Sequence, residues 1–202
     1  MSTTTSESVR ADIRNAALQL FSDVGFHGTG IRRIAEEAGV SLATLYHYMS
    51  SKESLLAEMM SETILTLLRD AELAVQATVS PVERLRALVE VHLRVHIENR
   101  MLCIISDIEL RSLSGEGRET VVRYRDDYEG LWKKTIAAGK RSGDFSVGDI
   151  DIAAKALLDM CTGVVHWYRP GGRMDLEALT DLYVALCFNA LQSHRPRRKA
   201  RG

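Results

Sequence analysis

Apolar residues recur at helical spacing along almost the whole chain, with polar residues between them. The first apolar face starts near Ile13 and ends at Gly25, a residue type that commonly follows the end of a helix. A short second helix is expected to end at Gly39, and Ser41 is a suitable N-cap for a third helix that extends to about Tyr48. Because no alternating strand pattern persists, the chain is predicted to be all-α.

Start signals mark the longer helices that follow. Ser50 and Glu53 have the spacing of a capping box and predict the start of a long fourth helix. Ser80, Pro81 and Glu83 combine an N-cap, a proline at the first helical position and an acidic partner, so they predict a fifth. Four further helices are predicted at about 101–108, 119–141, 150–168 and 176–193, with a loop at 114–117.

Three short helices within the first fifty residues have the proportions of a helix-turn-helix. Between the second and third, Gly39 allows a tight turn and the small residues around it allow close packing. In the third helix Leu45 is expected to face inward, while Ala43 and Thr44 face outward, where a bulky side chain would obstruct a DNA major groove. The same pattern also fits an ordinary three-helix core.

Charge and cysteine content limit the function classes. The formal net charge is −1, and residues 1–60 carry five basic against seven acidic residues, so there is no broad basic domain and any contact with nucleic acid must come from a few placed residues. The three cysteines are far apart with no Cys-x-x-Cys pair, which argues against a disulfide framework or a zinc ribbon. No apolar stretch is long enough to span a membrane and no secretory signal opens the chain, so a cytoplasmic protein is expected.

Candidate chemistry is sparse. No nucleophile–base pattern and no glycine-rich phosphate loop stands out, so neither an enzyme nor a cofactor is expected. His92 and His96 are four residues apart, a spacing that can hold a metal ion. Two histidines on a partly buried helical face more often pack or line a pocket, so no metal site is predicted.

The segment from Gly25 to Glu53, GFHGTGIRRIAEEAGVSLATLYHYMSSKE, closely resembles the TetR family of bacterial regulators, and the match extends from about Ile13 to Leu56. The resemblance implies a small DNA-binding domain, a larger helical ligand domain, a homodimer and usually repression. It implies phosphate contacts by Tyr46 and Lys52. The family's DNA-facing positions fall on Thr29, Ile31, Arg32, Ser41, Ala43, Thr44, Tyr46, His47 and Lys52, of which Ala43, Thr44 and His47 approach bases.

The second helix departs from the family pattern. Gly30 stands where the family usually has Ser or Thr, and Arg33 where it often has an acid, so the usual capping box is lost. Arg32 and Arg33 place two cations at the positive end of that helix, which is unfavourable unless a phosphate binds there. Both arginines are therefore predicted to face DNA.

The resemblance divides the chain into a helix-turn-helix domain of three helices at 1–50, a ligand-binding and dimerisation domain of six helices at 51–193 and a basic disordered tail at 194–202. Helices eight and nine are expected to pair with their copies in a four-helix bundle. The two recognition helices would then lie roughly 34–36 Å apart, about one DNA turn. A bound ligand would move the fourth helix as a lever and spoil that spacing.

The effector is suggested by a looser similarity. Segments 85–88, 123–129 and 167–173 look like the TetR subgroup that includes regulators of lipid and steroid breakdown, several of which respond to acyl-CoA thioesters. The helices near 101–108 and 160–168 could line an apolar slot with arginines at its mouth. The candidate effector residues are Met101, Ile105, Arg123, Arg125, Tyr128, His166, Trp167 and Arg169. These apolar residues could equally fill a core and the arginines be solvated.

Two other functions fit the same residues. One keeps the DNA-binding fold but senses an aromatic or cationic drug and controls an efflux gene; the absence of a conspicuous acidic cluster in the apolar helices argues mildly against the cationic case. The other is a helical interaction module without specific DNA binding, which predicts only salt-labile, sequence-independent binding to DNA.

Overall fold

A computed structural model describes residues 2–191, with side chains from residue 6 onward. Every regular element in this part of the chain is helical, so the predicted all-α class is confirmed. The basic tail predicted at 194–202 lies outside the described residues. The helices are α1 Ser2–Val24, α2 Ile31–Glu37, α3 Leu42–Tyr48, α4 Lys52–Gln76, α5 Pro81–Glu98, α6 Arg100–Glu109, α7 Gly115–Ser142, α8 Ile150–Thr162, α9 Val164–Trp167 and α10 Leu176–Leu191, with a 3-10 turn at Leu110–Ser112.

The chain forms two compact units. Among the described residues, the first consists of 2–66 together with 99–124, and the second of 67–98 together with 125–191. Helices α4 and α7 therefore contribute residues to both. This division by contacts differs from the functional domains predicted from sequence, which stay a prediction.

The first unit is built around the helix-turn-helix segment. Ile34 and Leu45 of α2 and α3 are fully buried against α1, which contributes Phe21 to the same core. Leu102 and Ile105 of α6 are buried in this core as well. Gly25 and Gly39 end the first two helices with φ angles of +80° and +65°, a conformation that side-chain-bearing residues rarely adopt. The apolar face of α6 thus contributes to the core around the helix-turn-helix segment.

The start of α5 follows the sequence prediction. The Ser80 hydroxyl accepts the Glu83 N–H at 3.2 Å, and the Glu83 carboxylate accepts the Ser80 N–H at 3.1 Å. These bonds lower the pKa of the exposed Glu83 carboxyl, because they favour its charged form. The capping box is confirmed.

The start of α4 differs from the prediction by one residue. The helix begins at Lys52, so Ser51 is the N-cap and Ser54 is its partner three positions on. The Ser54 N–H donates to the Ser51 hydroxyl at 2.9 Å, and the Ser51 N–H donates to the Ser54 hydroxyl at 3.0 Å. The predicted Ser50–Glu53 box is wrong, since Glu53 falls one position too early and its carboxylate binds Ser114 instead.

Two other boundaries also differ. The predicted loop at 114–117 is the first turn of α7, which begins at Gly115. A Cβ at Gly117 would lie 2.9 Å from the Ala57 Cβ, so the glycine lets α7 approach α4 closely. The predicted helix at 150–168 is divided at Gly163 into α8 and α9, because the His166 N–H donates to the Gly163 carbonyl three residues back and tightens the turn.

Candidate nucleic-acid interface and effector region

Helix α3 presents a small, polar face to solvent. Its N-cap, Ser41, accepts the Thr44 N–H at 3.0 Å, and Leu45 anchors the opposite face in the core with no exposed surface. Ala43, Tyr46 and His47 are exposed, and Tyr46 shows 52% of its surface. An apolar anchor behind an exposed face of small and hydrogen-bonding side chains is the arrangement that entry into a major groove requires.

Helix α3 is also held from the side. The Tyr48 hydroxyl lies 3.2 Å from the Ser6 hydroxyl of α1. The Tyr48 ring meets the His47 ring edge to face, with 5.4 Å between their centroids. The exposed imidazole of His47 therefore has a packed neighbour that limits its positions.

Helix α2 begins at Ile31 after Gly30, which provides no side-chain cap. The loss of the family's capping box that the sequence predicted is therefore observed. Arg32 and Arg33 are exposed in the first turn, while Ile31 is half-buried. The two guanidinium groups face solvent beside N–H groups that have no partner within the helix.

Thr29 and Lys52 have structural partners in the α1–α2 turn of the helix-turn-helix segment, which comprises α1, α2 and α3 and is called the head below. Thr29 is 3% exposed and donates its hydroxyl hydrogen to the Gly25 carbonyl at 2.8 Å. The Lys52 ammonium donates to the Phe26 carbonyl at 2.5 Å and the Thr29 carbonyl at 2.9 Å, and lies 4.4 Å from the Phe26 ring centroid. Burial lowers the pKa of Lys52, and the charge of Glu109 opposes this shift. An ammonium has three N–H donors, and these two carbonyls accept two of them.

The candidate effector residues are divided between the two units. Met101 and Ile105 pack in the core of the first unit, where Arg123 is exposed. In the second unit Tyr128 is buried and Arg125 half-buried. The remaining three, His166, Trp167 and Arg169, are exposed in the second unit, and Trp167 shows 56% of its surface.

A buried polar cluster surrounds His92 in the second unit. Its Nδ1 lies 3.1 Å from the Tyr128 hydroxyl and its Nε2 lies 3.2 Å from the Thr162 hydroxyl. His96 stacks on His92 with 3.8 Å between ring centroids. Burial lowers the pKa of His92 well below its ordinary value and that of His96 to about 4, so both rings are neutral at neutral pH. Among the described residues, no three His, Cys, Asp or Glu side chains are grouped as a metal site.

Comparison with known families decides the identity of the chain. The model for bacterial regulatory proteins of the tetR family matches residues 13–59. A model for the C-terminal domain of tetracyclin-repressor-like proteins matches residues 78–191. The chain belongs to the TetR family. The resemblance carried by Gly25–Glu53 is confirmed, and the chain is a DNA-binding transcriptional regulator.

Individual TetR-family relatives match over nearly the full length. The HTH-type transcriptional repressor KstR2 of Rhodococcus jostii is 27% identical over 186 residues, 91% of each chain. A crystal structure of a tetR-family regulatory protein from Rhodococcus RHA1 superposes with a TM-score of 0.85 at 28% identity, covering 92% of this chain and 98% of that one. AibR in complex with isovaleryl coenzyme A and operator DNA superposes with a TM-score of 0.79 at 27% identity, covering 90% and 98%.

Within residues 2–191, none of the helices of this TetR-family chain combines the length and apolarity that crossing a bilayer would take. This agrees with the sequence, where every long helix carries several charged residues.

Sequence reasoning missed the residues that fasten α6 and α7 to the DNA-binding head of this TetR-family protein. Glu53 bonds to Ser114, and His27 approaches Glu109 and Ser112. The serine at 114 is itself a plain helix-start signal. Its partner lies 61 positions earlier, however, and no local pattern connects the two.

Proposed function

We propose that this TetR-family protein is a dimeric repressor that binds a palindromic operator and is released from it by a small molecule, an acyl-CoA thioester or a related lipid metabolite. The observation that carries the proposal is the exposed face of α3, capped by Ser41 and anchored by Leu45. The relatives with matching length and fold include a named repressor and a regulator bound to operator DNA.

On DNA, the exposed side chains take two roles. Tyr46, Lys52, Arg32 and Arg33 hold phosphates on either side of the groove, which sets the register of the head. The bases are approached from the exposed face of α3 by Ala43, Thr44 and His47, with Ser41, Thr29 and Ile31 at the edges of the contact. Because the side chain of Thr29 is buried, its contribution is to hold the α1–α2 turn and present the backbone.

Dimerisation is supported by apolar side chains that the single chain leaves in solvent. Ile152 of α8 is 68% exposed, and Leu182 and Leu186 of α10 are 51% and 50% exposed. Leu182 and Leu186 are four residues apart and so share one helical face. A second copy that packs its own α8 and α10 on this face would remove them from water in a four-helix bundle.

The effector class is supported by AibR, which was crystallised with isovaleryl coenzyme A. In this chain Arg123 of the first unit and Arg169 of the second are both exposed, and a guanidinium of this kind can pair with a phosphate. As a regulator of bacterial DNA the protein acts in the cytoplasm, and its role is binding rather than enzymatic catalysis.

The test is release of the protein from its operator. An operator is selected from random DNA with the wild-type protein, and the complex is titrated with acyl-CoA thioesters, free CoA, the free acids, cationic drugs and divalent metals. We expect an acyl-CoA to raise the melting temperature and to dissociate the complex, while free CoA and metals do neither. Release by a cationic drug alone would replace the lipid effector with the efflux interpretation, and failure to select any sequence would contradict operator binding.

A further inference from the structure

A set of polar contacts fastens the turn between α6 and α7 to the helix-turn-helix segment. We call this set the clasp. Its members come from the α1–α2 turn, the start of α4, the end of α6 and the α6–α7 turn, and all of them lie in the first compact unit. They are His27, Lys52, Glu53, Glu109, Ser112 and Ser114.

One half of the clasp is formed by Glu53. Its Oε1 accepts the Ser114 N–H at 2.6 Å and the Ser114 hydroxyl at 2.7 Å. The Ser114 carbonyl accepts the Arg118 N–H at 3.3 Å, so Ser114 opens α7. A carboxylate is stabilised at a helix start by the free N–H groups and the helix dipole. A residue of α4 therefore caps α7.

The other half of the clasp is formed by Glu109. Its Oε2 accepts the Ser112 hydroxyl at 2.5 Å and lies 3.6 Å from the His27 Nε2, which is itself 3.1 Å from the Ser112 hydroxyl. The negative charge of Glu109 also acts on Lys52, whose ammonium holds the α1–α2 turn. The α6–α7 turn is thus tied to both the α1–α2 turn and α4.

Tight apolar packing lies beneath these polar contacts. Leu113 and Val121 are buried in the same core as the three helices of the head. A Cβ at Gly117 would come within 2.9 Å of the Ala57 Cβ, so α7 and α4 meet without space for even a methyl group. The clasp therefore joins surfaces that are already in close contact.

We propose that the clasp is a positioning device, which fixes the recognition helix α3 relative to α7 and so sets the half-site spacing that the dimer accepts. Without the clasp the head keeps its continuation into α4 and its apolar contacts with α6 and α7, and such non-directional contacts allow small rotations. The bonds between Glu53 and Ser114 add a directional attachment to the start of α7. Both heads must be aligned with their half-sites at the same time. The operator affinity is therefore reduced in proportion as the fraction of time that each head is correctly placed becomes smaller.

Whether operator affinity rises or falls when the charge of Glu53 is removed distinguishes a positioning role from a purely electrostatic one. Removing the negative charge of Glu53 should strengthen binding to phosphates if charge alone mattered. Loss of positioning should weaken binding instead, and only for an operator with two half-sites. This inference rests on the proposed function, because it requires a dimer and a two-part operator.

The experiment compares full-length Glu53→Ala and Ser114→Ala with Glu62→Ala. Glu62 lies on the same helix as Glu53 and pairs with Arg14 of α1. The Glu62→Ala variant is a matched control, because it removes one negative charge from α4 and leaves the clasp residues unchanged. Each protein is titrated with the selected operator, with versions whose half-sites are moved by a single base pair, and with an isolated half-site. Melting temperatures are recorded for all.

For Glu53→Ala we expect roughly tenfold weaker binding to the natural spacing, as when the competent arrangement is occupied about a tenth of the time. Its preference for natural over shifted spacing should be lost, while its affinity for one half-site and its salt dependence stay at the wild-type values. Ser114→Ala should change in the same direction and by less, because the Ser114 N–H still bonds to Glu53. Glu62→Ala should keep the wild-type spacing preference.

The proposal would be overturned if both clasp variants kept the wild-type preference for the natural spacing. It would also be overturned if they lost as much affinity for the isolated half-site as for the complete operator. If Glu53→Ala does not fold, Glu53→Gln and Ser114→Ala decide the question, since Gln keeps an acceptor oxygen but not the charge. If the wild-type protein bound operators of natural and shifted spacing equally well, the proposed binding of a dimer to a two-part operator would be contradicted. The clasp proposal would then fail with it.

Discussion

At the scale of single residues, Tyr46 and Lys52 are both proposed to contact phosphates, but their replacement is expected to change the salt dependence of operator binding differently. Lys52→Ala should weaken binding to every sequence and reduce the slope of log K against log salt by about one unit, because one fewer counterion is released. Tyr46→Phe should weaken binding without changing that slope, since a phenol carries no charge. The measurement is a salt titration of operator affinity.

The two variants should also differ in stability. Lys52→Ala removes the ammonium donor from the Thr29 carbonyl and leaves the Phe26 carbonyl with the Thr29 N–H alone, so it should lower the free energy of unfolding by about 1–3 kcal/mol. The exposed hydroxyl of Tyr46 should matter little. Lys134→Ala, an exposed charge on α7, is the control and should change neither quantity. An unaltered salt slope in Lys52→Ala would remove this residue from the phosphate contacts.

Because His92 and His96 are buried, we expect the free energy of unfolding to decrease in acid. Burial lowers the folded-state pKa of both, so the unfolded chain binds more protons below its ordinary histidine pKa of about 6.5. Stability should be fully present above that pH and decline as the pH falls toward 4, by up to about 1.4 kcal/mol per pH unit for each histidine. Urea denaturation between pH 7 and pH 4.5 measures this slope.

The control for the acid effect is an exposed histidine. His96→Gln should flatten the decline, because Gln does not titrate, whereas His166→Gln on the exposed surface should leave the slope as it is. An equal slope in wild type and His96→Gln would show that other groups cause the acid sensitivity.

At the scale of elements, two of the glycines of α7, Gly117 and Gly130, should respond oppositely to replacement by alanine. Gly117→Ala places a methyl group 2.9 Å from the Ala57 Cβ and should destabilise by about 1–3 kcal/mol, because the closely packed helices must separate. Gly130→Ala meets nothing within 4 Å and should stabilise by about 0.5–1 kcal/mol through helix propensity. Denaturant midpoints of the two variants provide the comparison; stabilisation by both would mean that α4 and α7 are looser than the structure has them.

Helix boundaries could be predicted where the signal was local and complete. Ser80 and Glu83 satisfy each other within one turn, and Ser41 caps α3 through the Thr44 N–H. At α4 two adjacent serines, Ser50 and Ser51, offered competing N-caps, and the Ser51–Ser54 pair formed instead of Ser50 with Glu53. The Glu53 carboxylate bonds to Ser114 at the start of a distant helix, a contact that the local pattern does not contain.

At the scale of the whole molecule, the exposed leucines of α10 should decide the oligomeric state. Leu182→Ser should shift the protein from dimer toward monomer, because it replaces apolar surface that a second copy would bury. Leu73→Ser is the control, since Leu73 of α4 is exposed to a similar degree, at 65%, but lies outside the proposed bundle. Sedimentation equilibrium measures both. A Leu182→Ser protein that dimerises as well as wild type would place the interface elsewhere.

The sequence by itself determined that this chain is all-α and that its N-terminal part contains a helix-turn-helix, and its resemblance over Gly25–Glu53 pointed to the TetR family. The first two features depend on residues a few positions apart, whose spacing follows from helix geometry. Only the tertiary structure decided that Thr29 is buried, that Lys52 holds the α1–α2 turn and that Glu53 caps α7. The physical reason is that these partners lie from 23 to 61 positions apart and meet only when the core beneath them has packed.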